Sequence, residues 1–69
     1  MQRQAVSSSN IASVGYDEAN SILEVEFING SVYEYFDVPE RVYREFIGSG
    51  SLGAYLNSQI RAQYRYQRV

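Results

Sequence analysis

Sixty-nine residues with 45% hydrophobic, 14% aromatic and 20% charged content describe one small globular domain rather than a disordered tail. The chain has no Cys and no His, which excludes disulfides, thiolate or imidazole metal sites and the commonest general base. Six Arg against eight acids give a net charge of −2, unevenly spread: residues 17–45 hold all eight acids and two Arg, whereas residues 46–69 hold Arg61, Arg65 and Arg68 and no acid.

Residues 1–10 (MQRQAVSSSN) are polar and read as a flexible lead-in, with the domain occupying 11–69. Met1-Gln2-Arg3-Gln4 has no apolar stretch behind it and does not read as a signal peptide. No apolar run approaches the ~18 residues of a membrane span, so no membrane partner and a cytoplasmic location are expected. Ile11–Asp17 reads as a strand with Ala12, Val14 and Tyr16 on one face. Asp17–Ser21 is turn chemistry. In Ile22–Phe27, Leu23, Val25 and Phe27 alternate with Glu24 and Glu26, the mark of a sheet with one buried face.

Asn29-Gly30 signals a hairpin, and the side-chain pattern selects its register. A two-residue turn would throw Tyr33 and Tyr35 onto the glutamate face. A three-residue loop, Ile28-Asn29-Gly30, with Gly30 in the left-handed region pairs Val25 with Tyr33 and Leu23 with Tyr35. That register gathers the large side chains on one face, and a slip of one residue would lose it. Val32, Glu34 and Phe36 then fall on the other side, where Phe36 is the least comfortable.

Pro39-Glu40 opens a helix whose stripe is Val42, Tyr43, Phe46 and Ile47, ended by Gly48. Ser51 caps a second helix with Leu52, Tyr55, Leu56 and Ile60 on one side, fading near Ala62. Tyr64 and Tyr66 alternate with Arg65, so the tail can run extended. The expected fold is a two-layer α+β domain: a three-stranded antiparallel meander covered on one face by two C-terminal helices, with a short fourth strand available from the C-terminus.

Chemistry narrows by exclusion. Serines are plentiful, but without His or Lys only a carboxylate could serve as their base. Glu24 and Glu26 lie about 7 Å apart along a strand, a spacing a glycosidase could use, but they are better explained as the wet side of an amphipathic strand. The acids match no calcium-loop pattern. Gly48-Ser49-Gly50-Ser51-Leu52-Gly53 spells G-x-G-x-x-G, yet it follows a helix rather than a strand, and reads as a tight helix–helix connection. No catalytic residue, metal site or cofactor is expected. The seven tyrosines are the most informative feature. Tyr33 and Tyr35 are assigned to the core beneath the helices, hydroxyls at its edge. Arg61, Arg65 and Arg68 interleaved with Tyr64 and Tyr66 have the texture of a single-strand nucleic-acid surface, with rings for bases and guanidinium groups for phosphate.

Taken in order, Ser8/Ser9-x-Ile11, Val14-Gly15-Tyr16-Asp17, Leu23-x-Val25-x-Phe27, Gly30-x-Val32-Tyr33-x-Tyr35, Val38-Pro39, Val42-Tyr43, Ser51-x-Gly53-x-Tyr55-Leu56-Asn57, Ile60-Arg61 and Tyr64-x-Tyr66 resemble the KTSC domain family. That family is named for the C-terminus of some lysyl-tRNA synthetases and also occurs as small free-standing bacterial and phage proteins. The resemblance runs from Ser8 to Val69, with Tyr33 and Tyr35 as the central Tyr-x-Tyr. It departs at Gly48, where alanine is common, and at Leu56, where phenylalanine is. It implies no catalytic residues, and it implies the RNA binding suggested for the family. The expected partners are RNA or tRNA; the alternative is a non-catalytic interaction or assembly module with a protein partner or a second copy of the chain, suggested by the wet acidic face and a free edge strand.

Overall fold

The computed structural model describes residues 2–69. Five antiparallel strands form one meander in chain order: β1 (Gln4–Ala5), β2 (Ile11–Asp17), β3 (Ile22–Phe27), β4 (Val32–Tyr35) and β5 (Tyr66–Arg68). Two helical elements cover one face: α1 (Glu40–Ile47), and α2 (Leu52–Tyr55), which runs on into a π-helical segment, Leu56–Ile60. The α+β class and the two layers agree with the sequence reading, but the sheet has five strands rather than three with a short fourth.

The extra strand comes from the presumed lead-in. Gln4 pairs with Val14 and Ala5 with Ser13. Gly15 makes this possible: a Cβ there would stand 2.6 Å from the Gln2 carbonyl oxygen and 3.0 Å from Arg3 Cγ. Arg3 lies across the gap, its Nε donating to Ser13 Oγ at 3.1 Å and its guanidinium pairing with Glu24 and, at 3.9 Å, with Glu26.

The β3–β4 hairpin has the expected register. Leu23 faces Tyr35 and Val25 faces Tyr33. The Phe27 N–H donates to Ser31 O at 2.8 Å, and Gly30 takes the positive φ of 94° that closes the three-residue loop. Strand β2 departs from simple alternation. Ile11 pairs with Phe27 but Ser13 with Glu26, so Ala12 is an extra residue in a bulge. The bulge turns Ile11 into the core, fully buried, where alternation alone places Ala12.

The core lies between Ile11, Val14, Leu23, Val25 and Tyr35 of the sheet and Val38, Val42, Phe46, Leu56 and Ile60 above it. Tyr16 closes one side: its ring stacks on Tyr43 at 4.7 Å and its hydroxyl donates to Val38 O at 2.6 Å. Pro39 is the N-cap of α1 rather than its first helical residue, so the helix starts at Glu40, one position after the expected start. Ser51 caps α2 as expected, its Oγ accepting from the Ala54 N–H at 3.3 Å. The continuous second helix expected to Ala62 instead widens after Tyr55. The Arg61 N–H reaches back five residues to Leu56 O at 2.7 Å, and a turn follows that releases the chain into β5.

Candidate nucleic-acid interface

Because facing residues in a ladder share one side of the sheet, the β4–β5 register decides where the tail's side chains go. Tyr66 faces Tyr35 and Arg68 faces Tyr33, so both lie on the helix-side face. Gln67 faces Glu34 on the opposite side. The Tyr66 ring stands 5.7 Å from Tyr33 and 5.6 Å from Tyr35, yet Tyr66 keeps 49% of its surface exposed while Tyr35 keeps 1%. Phe27 meets Tyr33 edge-on at 5.6 Å. Four aromatic rings therefore run from the hairpin tip to the edge strand, and the helical layer covers only part of the row.

Between this row and the π-helical segment lies an open cleft of about 210 Å³, walled by Phe27, Tyr33, Tyr35 and Leu56, with Asn57 and Arg61 on its rim. It continues past Asn29 and Ile28 into a shallower depression of about 440 Å³. Among the described residues, no carboxylate lines either part. Arg61 and Asn57 sit one helical turn apart, and Arg61 Nη1 donates to Asn57 Oδ1 at 3.2 Å. Burial pushes the Tyr35 phenol above its usual pKa, and the positive charge of nearby Arg61 pulls the other way. The Tyr35 hydroxyl thus stays protonated at neutral pH, with the Arg61 guanidinium close by.

The structure divides the five residues singled out from the sequence. Arg61 lines the cleft, and Tyr66 and Arg68 share the helix-side face of the sheet with Tyr35 and Tyr33. Arg65 does not: its guanidinium lies 5.9 Å from the centre of the Phe36 ring and 3.4 Å from Asp37 Oδ2, beyond the other side of the sheet. This pairing also relieves Phe36, left on the wet face by the hairpin register. Tyr64 is half-buried against the core, its N–H bonded to Ile60 O at 3.0 Å. The wall residues Phe27, Tyr33, Asn29 and Asn57 were not named as site residues. The spacing of Asn57 and Arg61 was their one readable signal, and it gains meaning only with the hairpin opposite. The G-x-G-x-x-G segment is a helix–helix connection, as read: Ser51 Oγ satisfies its own helix, and a Cβ on Gly53 would meet Asn10 Nδ2 at 3.0 Å. No group of three or more metal-ligating side chains occurs among the described residues, and no described helix is long and apolar enough to cross a membrane.

Proteins similar to this chain include small proteins of its own length and a segment of much longer ligases. An uncharacterised protein of Stutzerimonas stutzeri is 43% identical over 70 residues, covering 100% of this chain and 99% of its own. A protein of Tsukamurella paurometabola is 36% identical, covering 90% of this chain and 92% of its own. A lysine–tRNA ligase of Nostoc sp. is 37% identical over 54 residues, spanning 78% of this chain but only 10% of the ligase. The crystal structure of a KTSC domain protein from Yersinia pestis superposes with a TM-score of 0.92 at 39% identity, covering 99% of this chain and 96% of that one. The family model of the KTSC domain matches residues 7–64. With most of its length matched and the fold shared throughout, the chain belongs to the KTSC domain family.

Proposed function

We propose that the protein is a non-catalytic module that binds single-stranded RNA in the groove between the β3–β4 hairpin and the π-helical segment. The observation that carries this reading is the row of Phe27, Tyr33, Tyr35 and Tyr66, with Arg61 on the cleft, Arg68 opposite Tyr33, and no carboxylate among the described residues that line the cleft, in a chain of net charge −2. Aromatic rings accept stacked bases, and arginines meet the phosphates between them. The lysine–tRNA ligases among the relatives act on a tRNA by name, which supports RNA as the polymer. Two groove arginines give a modest affinity. The logarithm of the binding constant should fall with the logarithm of salt at a slope of about −1.4, from two phosphates neutralised on a single strand.

The test is anisotropy of a labelled single-stranded RNA at low salt. Arg61→Ala with Arg68→Ala should weaken binding by at least about tenfold and flatten the salt slope, whereas Arg65→Ala should leave both near wild type. Absence of binding up to millimolar protein at low salt, with the fold intact by circular dichroism, would end this reading. A second reading, a protein-interaction module, is favoured by two short open sheet edges, β1 and β5, each able to accept a strand. Sedimentation at several concentrations tests its simplest form, a homodimer.

A further inference from the structure

Resting on that reading, we propose that the groove selects uracil over the other bases. The selectivity comes from two asparagine amides held with the same end free. Asn57 Oδ1 accepts from Arg61 Nη1 at 3.2 Å. Asn29 Oδ1 accepts from the Ser31 N–H at 3.0 Å. A guanidinium and a backbone N–H are donors only, so each fixes which end of its amide is the carbonyl. Both side-chain NH2 groups are thereby left free, and neither donates to another described side chain. Asn29 and Asn57 both border the cleft walled by Phe27, Tyr33 and Tyr35. With Arg61 beside them, the fixed polar groups of this cleft are donors.

A base placed there is favoured by the number of acceptors it turns toward them. Uracil carries two carbonyl oxygens either side of one N–H; Tyr35 and Ser31 line the same cleft, and a hydroxyl can accept that proton. Cytosine replaces one carbonyl by an amino group and adenine presents an amino group beside a single ring nitrogen, which sets donor against donor. Guanine offers one carbonyl but two donor groups and a second ring. At about 210 Å³ the cleft lies below the ~300–1,000 Å³ of pockets for drug-sized ligands and matches one small ring. A donor left facing a donor loses its hydrogen bond on desolvation, which makes the discrimination steeper than the gain from the correct contact.

The experiment compares labelled hexamers of uridine, cytidine and adenosine with the full chain at one salt concentration. Uridine should bind more tightly than either of the others by about fivefold or more, the scale of one net neutral hydrogen bond. Asn57→Ala, at an exposed helical position, should bring the three affinities close together, while Arg68→Ala, which leaves the Arg61–Asn57 bond intact, should lower all three in parallel. Equal affinities for the three hexamers, a preference for cytidine or adenosine, or an unchanged ratio in Asn57→Ala would each overturn the selection while leaving RNA binding standing. No binding to any hexamer would remove both.

Discussion

On one face of the sheet Glu24, Glu26 and Glu34 stand together, two of them engaged by Arg3; on the other, Arg61 lines the groove and Arg68 faces Tyr33, with no carboxylate among the described residues that line the groove. Helix α1 adds Glu40, Arg41, Arg44 and Glu45 and stays balanced, with Arg44 bonded to Glu40 at 2.8 Å. A net charge of −2 therefore averages over a molecule with two different sides. The sorting follows from period-two alternation: the glutamates occupy every second position of β3 and the middle of β4, so one register sends them all the same way. The difference teaches that an acidic composition does not exclude a polyanion surface when the acids are confined to the opposite face of a sheet.

The sharpest contrast on the groove face is between Tyr35 and Tyr66, directly paired across β4 and β5. Tyr35 is 1% exposed and sits in the core cluster; Tyr66 is 49% exposed. Tyr35→Ala should cost about 3–5 kcal/mol, enough to unfold a domain of this size, whereas Tyr66→Ala should cost about 1 kcal/mol from lost ring contact. Chemical denaturation checks both, and equal costs would erase the contrast. Tyr35→Phe sharpens it further. The Tyr35 hydroxyl has no hydrogen-bond partner among the described side chains, so its removal should change the midpoint little at neutral pH. Its effect should appear in alkali. Burial raises the Tyr35 pKa in the folded state, so its contribution is present below the unfolded phenol value and is lost as pH rises through the folded one. Stability should fall above about pH 10, the ordinary tyrosine value, and Tyr35→Phe should resist that fall better than wild type.

The acidic face is broken most directly at its cation. Gly15→Ala forces a Cβ to within 2.6 Å of the Gln2 carbonyl, so β1 must shift or detach, at about 1–3 kcal/mol. Arg3→Ala should cost less, about 1 kcal/mol, through the lost bonds to Ser13 and Glu24. If β1 is what holds Arg3 over the glutamates, amide exchange should rise at Val6, whose N–H bonds Ala12 O, in Gly15→Ala. Exchange there unchanged from wild type would mean that the close approach at Gly15 does not hold the strand.

The hairpin was legible because its rules are local: three loop residues, one left-handed glycine and alternating rings. Strand β1 was not, because Gln4 and Ala5 carry no pattern of their own and pair only where Gly15, ten residues on, lacks a side chain. The bulge at Ala12 was hidden for a similar reason, since Ile11 and Ala12 both pass as inward residues until the pairing with β3 is known. In the candidate site, Arg61, Tyr66 and Arg68 were legible as a basic aromatic run. What the run could not reveal was its division: Arg65, just before β5, turns to Phe36 and Asp37, Arg68 within β5 faces Tyr33, and Tyr64 packs against the core. Asn57 was invisible as a site residue, because an exposed helical asparagine acquires a role only from the arginine and hairpin beside it.

The smallest effect concerns the rim of the acidic face, at the β2–β3 turn. The Asn20 side chain bonds Asp17 Oδ2 at 2.9 Å and its N–H bonds Oδ1 at 3.3 Å. The Asn20 side chain is the main reason that Asp17 titrates below the usual carboxylate range. A carboxylate depressed in the folded state contributes stability above its unfolded pKa and loses it as pH falls through the folded one. Asn20→Ala should therefore lower the thermal midpoint slightly at neutral pH and leave it near wild type in acid, so that the acid limb is shallower. A parallel drop at both ends of the pH range would instead assign Asn20 to turn geometry alone, and the rim of the acidic face would then owe nothing to this charge.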